Sequence, residues 1–191
     1  MIEISIDTLM KGIGALSLIL AILSVYIVIK SMKEKAFAKR IKAYIQSKEE
    51  LWYRYFNNEI ALPQVLIPNN DIEMQAVEEI FLAYVKNISN SGIKEKIRKF
   101  SNQYLRQYYL KLLLSNKWSL RMNTLYRIID FNIDSLAAEC QKLRKRAKLS
   151  PEELFQLLII YSIFDEPGFI KEFVSFSTKL SEYEYKKMLI G

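Results

Sequence analysis

Apolar stripes at helical spacing, scarce glycine and proline, and one unbroken apolar run near the N-terminus predict an all-α protein with a single transmembrane helix. The 191 residues hold only 5 Gly and 4 Pro, too little punctuation for many short strands. Hydrophobic residues make up 51% and charged residues 26%, the balance of a folded chain rather than a disordered one. The architecture expected is a membrane helix followed by a short αα-solenoid. A compact helical bundle is the alternative arrangement of the same helices.

The membrane helix is read from Gly12 to Ile29, GIGALSLILAILSVYIVI, which carries no charge. About 18 such residues are enough to cross a bilayer as a helix. A helix is required, because lipid offers no water to satisfy free backbone groups. Lys11 and Lys30 frame the run and can snorkel, while Tyr26 suits an interface. Before the run stand Glu3, Asp7 and Lys11; after it come Lys30, Lys33, Lys35, Lys39, Arg40 and Lys42 against the lone Glu34. The positive-inside bias then places the N-terminus outside the cell membrane and the rest of the chain in the cytoplasm. A cleaved signal peptide fits poorly: the first residues are acidic, the apolar run is long, and the following flank is basic. Gly12, Gly14, Ala15 and Ser17 offer a small-residue face, but no GxxxG is present, and such residues are common in membrane spans.

Three segments follow from this reading: 1–30 as a short outer N-terminus and membrane helix, 31–58 as a basic amphipathic stalk, and 59–191 as a cytoplasmic helical-repeat domain. In the stalk Phe37, Ile41, Tyr44, Lys48, Leu51, Trp52 and Tyr55 recur at helical spacing. The six cations after the span can meet anionic headgroups, each contributing about 1 kcal/mol. A solvated helix face that only sets topology explains them equally well.

Pro63 and Pro68 bracket a loop, and Asn70 or Asp71 can cap the next helix, whose stripe is Val77, Ile80, Phe81, Tyr84, Val85 and Ile88. Ser89-Asn90-Ser91-Gly92 ends it. Another helix runs through Leu105, Tyr108, Tyr109, Leu112 and Leu113. Asn116 is the expected cap of the next, with Trp118, Met122, Leu125 and Ile129 on one side, and Asp134 opens a fourth. The sharpest local signal is Ser150-Pro151-Glu152-Glu153: a serine cap, proline at the first helical position, and glutamate at the capping-box position. The helix it opens, LFQLLIIYSIF, is apolar nearly all round and should be the most buried. Asp165-Glu166-Pro167-Gly168 breaks it, Phe169, Phe173, Phe176 and Leu180 mark a sixth helix, and Ser181 with Glu184 caps a last short one.

Paired helices at a spacing of roughly 40 residues match the period of helix-pair solenoids. Leu112 to Leu143 resembles one unit of a HEAT-type repeat: Trp118, Arg121 three residues later, then the stripe Leu125-Ile128-Ile129. A membrane span followed by such repeats resembles bacterial membrane-anchored HEAT-repeat proteins. That resemblance implies a scaffold beside a membrane glycosyltransferase or a polysaccharide-export system. The next unit departs from the pattern, since Lys148 to Phe164 lacks the usual Asp…Val-Arg.

For chemistry the chain is sparse. It has no histidine, removing the commonest general base and metal ligand, and its single cysteine, Cys140, excludes an internal disulfide. No phosphate loop, nucleophile elbow or dinucleotide fingerprint is present, so no enzyme, metal, cofactor or small-molecule substrate is expected. Glu78-Glu79 and Glu152-Glu153 are neighbours in sequence, and on a helix neighbours point about 100° apart, which suits structural roles better than an acid/base pair. Arg121, sharing a face with Trp118, should need a carboxylate, with Asp130 and Asp134 the candidates.

The net charge of +7 favours acidic partners. Lys142, Arg144, Lys145, Arg146 and Lys148 form the densest cluster, read either as cations favoured by a helix C-terminus or as a docking patch. Lys94, Lys96, Arg98 and Lys99 form a second. The leading expectation is a membrane-anchored adaptor that docks a protein at the cytoplasmic face. A membrane-tethered nucleic-acid or nucleotide-sensing effector is the alternative, made less favourable by tyrosines that fall mostly on apolar stripes.

Overall fold

The computed structural model describes residues 6–146, 149–164, 169 and 173, and every regular element among them is helical. The order is α1 (Ile6–Phe56), a 3-10 turn (Gln64–Leu66), α2 (Asp71–Asn87), α3 (Ser91–Phe100), a π-helical turn (Ser101–Leu105), α4 (Arg106–Leu113), α5 (Trp118–Asp130), a second 3-10 turn (Asp134–Leu136), α6 (Ala137–Arg146) and α7 (Pro151–Ile163). Two compact units divide the chain, Met1–Lys48 and Glu49–Gly191.

In the first unit the helix is uninterrupted because no proline falls between Ile6 and Phe56. It contains an 18-residue window of mean hydropathy 2.6, none of it buried. From Leu16 to Ile29 the large apolar side chains are 49–64% exposed, a surface that water would not tolerate and lipid would. The helix is therefore long and apolar enough to cross a membrane. Beyond this stretch Lys30, Lys33, Lys35, Lys39, Arg40 and Lys42 are all exposed, with Lys30 loosely paired to Glu34 at 4.0 Å.

The second unit opens within the segment expected as a stalk, because Trp52 and Phe56 on the last turns of α1 are core residues, 1% and 4% exposed. Trp52 meets Phe81 at a centroid distance of 5.1 Å and Phe100 at 5.3 Å, both edge-on, and stacks on Phe56 at 5.6 Å. Phe81 extends the cluster to Phe131 at 5.7 Å. Edge-to-face packing of this kind adds to area burial, because each positive ring edge meets a negative face. A second region of the core gathers Leu113, Leu125, Ile128, Cys140, Leu157 and Ile160 from α4 to α7. α5 packs on α4 and α7, α6 on α7, and α2 on α3.

Local chemistry explains most boundaries. Asn70 caps α2, accepting from the backbone of Ile72 and Glu73, as expected. α1 and α5 close with Asn58 and Asn132 in the left-handed region, at φ 62° and 52°; asparagine tolerates that conformation better than most L residues. Ser150 caps α7 with both bonds of the capping box in place and Pro151 opening the helix. As read from its composition, α7 is heavily buried: Phe155, Leu157, Leu158, Ile160 and Tyr161 are all in the core.

Other boundaries differ from expectation. α2 ends at Asn87, just before Ser89-Asn90-Ser91-Gly92 as read, but Asn90 also caps α3, accepting from Gly92 and Ile93, so the stretch starts a helix as well as ending one. α3 then passes through the π-helical turn into α4, so the helix read from Leu105 is the far end of a longer helical segment. Asn116 lies one residue before the cap position, which is Lys117; there Ser115 Oγ accepts from the Lys117 amide. Asp134 opens a 3-10 turn before α6 begins at Ala137. Phe169 and Phe173 are helical, their rings stacked at 5.8 Å. The breaker Asp165–Gly168, Phe176, Leu180 and the cap Ser181 with Glu184 lie outside the described residues.

Candidate functional site

The polar residues singled out from sequence sort into two kinds: those bound inside the fold and those left on its surface. Arg121, on the first turn of α5, donates from Nε to Glu153 Oε1 at 2.6 Å and from Nη1 to the Ser115 carbonyl at 2.9 Å. Its carboxylate is thus Glu153 on α7, not Asp130 or Asp134. The reason is packing, since the N-terminal turns of α5 and α7 lie side by side and run in the same sense. Trp118 Nε1 donates to Ser150 Oγ at 3.0 Å, one turn before the Arg121–Glu153 contact. Glu153 is buried, with 1% of its side chain exposed, and Arg121 retains 14%.

Trp118 itself is 50% exposed, although it shares one side of α5 with buried Met122 and Leu125. At the start of α5 its ring reaches the cap of α7 and no further, leaving one face in solvent. Leu114, in the turn before it, is 57% exposed. The same turn borders a groove of about 230 Å³ lined by Leu114, Ser115, Asn116, Arg121, Glu139 and Lys142. Exposed Leu114 and Lys142 therefore border one groove, and exposed Trp118 lies four residues after Leu114 at the start of α5.

Asp134 takes a different arginine, accepting from Arg98 Nη2 across the α5–α6 turn. Asp130 pairs with Arg127 at 2.9 Å, three residues before it on the same helix. Arg127 also donates to Glu78 Oε1 at 2.6 Å, while the Tyr109 hydroxyl donates to Glu78 Oε2 at 2.9 Å. One carboxylate of α2 thereby ties α4 and α5 together. Glu79, its neighbour, is exposed, as is Glu152 beside buried Glu153. The divergence of adjacent helical residues accounts for both splits, and neither pair forms an acid/base couple.

Burial, with the Glu78 carboxylate beside it, pushes the Tyr109 phenol well above its ordinary value. The folded state thus holds a proton that the unfolded chain releases near pH 10. Tyr109 contributes its full stabilisation below about pH 10, and that contribution is lost as pH rises further. Between about pH 8 and about pH 11 the unmutated protein should lose more unfolding free energy than Tyr109→Phe, measured by denaturant titration. Equal slopes for the two proteins would show that the phenol is not held protonated.

The basic clusters divide in the same way. Lys96 is turned inward: Nζ donates to the Tyr55 and Phe56 carbonyls at the end of α1, 3.2 Å to the latter, and lies 4.7 Å from the Tyr55 ring centroid. A cation at a helix C-terminus satisfies carbonyls that the helix leaves unpaired. Arg98 is engaged by Glu95 and Asp134, whereas Lys94 and Lys99 are exposed. In the other cluster Lys142 is exposed and paired with Glu139 at 3.0 Å, and Arg144 is half-buried. Lys148 and the side chains of Lys145 and Arg146 lie outside the described residues. Cys140, near this cluster, is fully buried.

Among the described residues no group of three or more Asp, Glu or Cys side chains could hold a metal ion. The class defined by these features is an all-helical protein with one candidate membrane-spanning helix and a helical unit built on its own aromatic core. Comparison with protein-family models, with curated proteins and with solved structures finds no match.

Proposed function

We propose that this chain is a membrane-anchored scaffold: a single-pass cell-membrane protein, N-terminus outside, whose cytoplasmic helical unit docks another protein. The anchor rests on the apolar stretch of α1, none of which is buried, and the exposed cations that follow it, arranged as the positive-inside rule requires. Near the bilayer those six cations also suit anionic headgroups. The matched direction of α5 and α7, with equivalent contacts 32 residues apart, supports a short αα-solenoid of HEAT-like repeats, in which equivalent helices stack in parallel. The resemblance to membrane-anchored HEAT-repeat proteins makes a membrane glycosyltransferase or polysaccharide-export protein the partner to test first.

The observation that carries docking is the face at the α4–α5 turn. Trp118 and Leu114 stand exposed there, and Lys142 lines the adjoining groove. A half-exposed tryptophan with a polar rim has the composition of an interface anchor, and the Lys142–Glu139 pair lies in that rim. Arg144, Lys145, Arg146 and Lys148 follow Lys142 closely in sequence and add positive charge to this segment.

The test is co-purification of the intact chain in non-ionic detergent, comparing the unmutated protein with Leu114→Glu/Trp118→Glu. The partner should be lost from the variant while its helical circular dichroism is retained. Retention of every partner by the folded variant refutes this docking face. Tight RNA or DNA binding by the unmutated protein, falling steeply with salt as released counterions demand, would favour the nucleic-acid reading instead.

A further inference from the structure

A second groove lies on the opposite theme: aromatic walls and a negative charge in a chain of net charge +7. Its volume is about 340 Å³. The last turns of α1 supply Glu49, Tyr53 and Phe56, which follow one another at i, i+4 and i+7 and so share one helix face, and Asn57 adjoins them in the turn that follows. The end of α2 supplies Tyr84. Phe56 and Tyr84 meet at a centroid distance of 4.5 Å, inclined at 51°, and form the inner corner. Tyr53 stands at the rim, 57% exposed. Glu49 is exposed and makes no ion pair among the described residues, and no lysine or arginine lines the groove.

These residues select a ligand class by elimination. An anion would meet the Glu49 carboxylate without a compensating cation. A neutral apolar group would cover that carboxylate and leave it desolvated and unpaired, which is unfavourable. A metal ion would find one carboxylate and little else. An organic cation suits the mixed lining: aromatic faces carry negative quadrupole charge and attract ammonium and guanidinium groups, Glu49 supplies the counter-charge, and Ala83, Ile88 and Ile93 can cover the alkyl groups of the cation. The volume is at the small end for ligand sites, fitting a headgroup or one side chain.

We propose that this groove is a binding site for an organic ammonium ion, with Tyr53 and Tyr84 as its aromatic wall, nearly buried Phe56 closing its inner corner, and Glu49 as its counter-ion. The Tyr84 phenol is held above its ordinary value, first by burial and then by the fields of Glu49 and Tyr53, which agrees with a negative potential concentrated there. A free amine ligand and a basic side chain of another protein offer the same cation. The two sources are separated by the experiment. The site is independent of the docking face at the α4–α5 turn, and either can fail without the other.

The full-length protein is titrated in a non-ionic maltoside detergent, since choline-headed detergents would compete. The probes are choline, its uncharged isostere 3,3-dimethylbutanol, and the capped amino acids N-acetyl-lysine and N-acetyl-arginine methylamides. Binding is followed by saturation-transfer NMR and by tryptophan fluorescence, because Trp52 stacks on Phe56. Choline should bind at about millimolar affinity or better, and at least about tenfold more tightly than the isostere. Glu49→Gln and Tyr53→Leu, both at exposed positions and therefore expected to fold, should each weaken choline about tenfold. Binding of the capped basic amino acids but not choline would support the cation site and assign it to a protein side chain. Equal affinity for choline and its isostere overturns the proposal, as does unchanged affinity in Glu49→Gln or no binding by any cation.

Discussion

Trp52→Ala is expected to cost about 3–5 kcal/mol of unfolding free energy, the range for removing a large aromatic from a packed core. Trp52 is 1% exposed and touches Phe56, Phe81 and Phe100, which come from three separate helices. Removing the indole opens a cavity where α1, α2 and α3 converge, and helices pinned from three sides can collapse only partly to fill it. Its Nε1 hydrogen finds no protein acceptor, so Trp52→Phe removes a poorly satisfied donor together with only part of the ring. That variant should lose under about 2 kcal/mol. Trp118→Ala should lose less than Trp52→Ala, because its ring is half in solvent and gives up mainly the bond to Ser150. Denaturant titration of the three variants in one detergent checks the order. A Trp118→Ala loss equal to that of Trp52→Ala would contradict the burial of the two rings.

Glu153→Ala should cost about 3–5 kcal/mol, because it breaks a buried ion pair from one side only. Arg121 keeps 14% exposure, so its guanidinium would retain the Ser115 carbonyl but lose its counter-charge. The same substitution removes half of the capping box, since Glu153 Oε2 accepts from the Ser150 amide at 2.9 Å. The two losses separate in a double-mutant cycle. Arg121→Met alone leaves an unpaired buried carboxylate and should be similarly damaging. Arg121→Met with Glu153→Gln, set against Arg121→Met and Glu153→Gln as the singles of the cycle, should recover much of the loss, because neither charge is then stranded. If the double variant is as unstable as the sum of the singles, the pair is not coupled and the damage comes from packing alone.

The helices of the second unit were legible wherever a local signal sufficed. Ser150, Pro151 and Glu153 act within one turn, so their arrangement reads directly from spacing. Asn70 is the same kind of signal. Ser89-Asn90-Ser91-Gly92 reads from sequence as the end of α2, which it is, while its second role as the start of α3 depends on the chain that follows. The π-helical turn Ser101–Leu105 has no comparable sequence mark. It places Asn102 where its side chain accepts from the Ser135 amide and donates to the Asn132 carbonyl, at 2.9 and 3.1 Å, so it is held by a loop about thirty residues away.

The candidate sites were less legible, and for one physical reason. Arg121 is legible as needing a carboxylate, but sequence distance offers only Asp130 and Asp134 as candidates and does not bring Glu153, 32 residues on, into view. The aromatic groove was not recognised, since Glu49, Tyr53 and Phe56 face it from α1 while Tyr84 faces it from α2. A Glu-x3-Tyr-x2-Phe spacing on one helix was the only advance sign of it.

What the sequence by itself determined is therefore whatever depends on period and nearest neighbours. That includes an all-helical chain, a helix long and apolar enough to cross a membrane, the basic flank after it, and the caps of α2 and α7. Tertiary structure decided which of two tryptophans is buried, which carboxylate meets which arginine, and which lysine is turned inward. Trp52 and Trp118 both stand on apolar helical stripes, and no local rule tells them apart. Burial is a property of what packs against a stripe: Trp52 is covered by α2 and α3, while Trp118 at the first turn of α5 meets only the cap of α7.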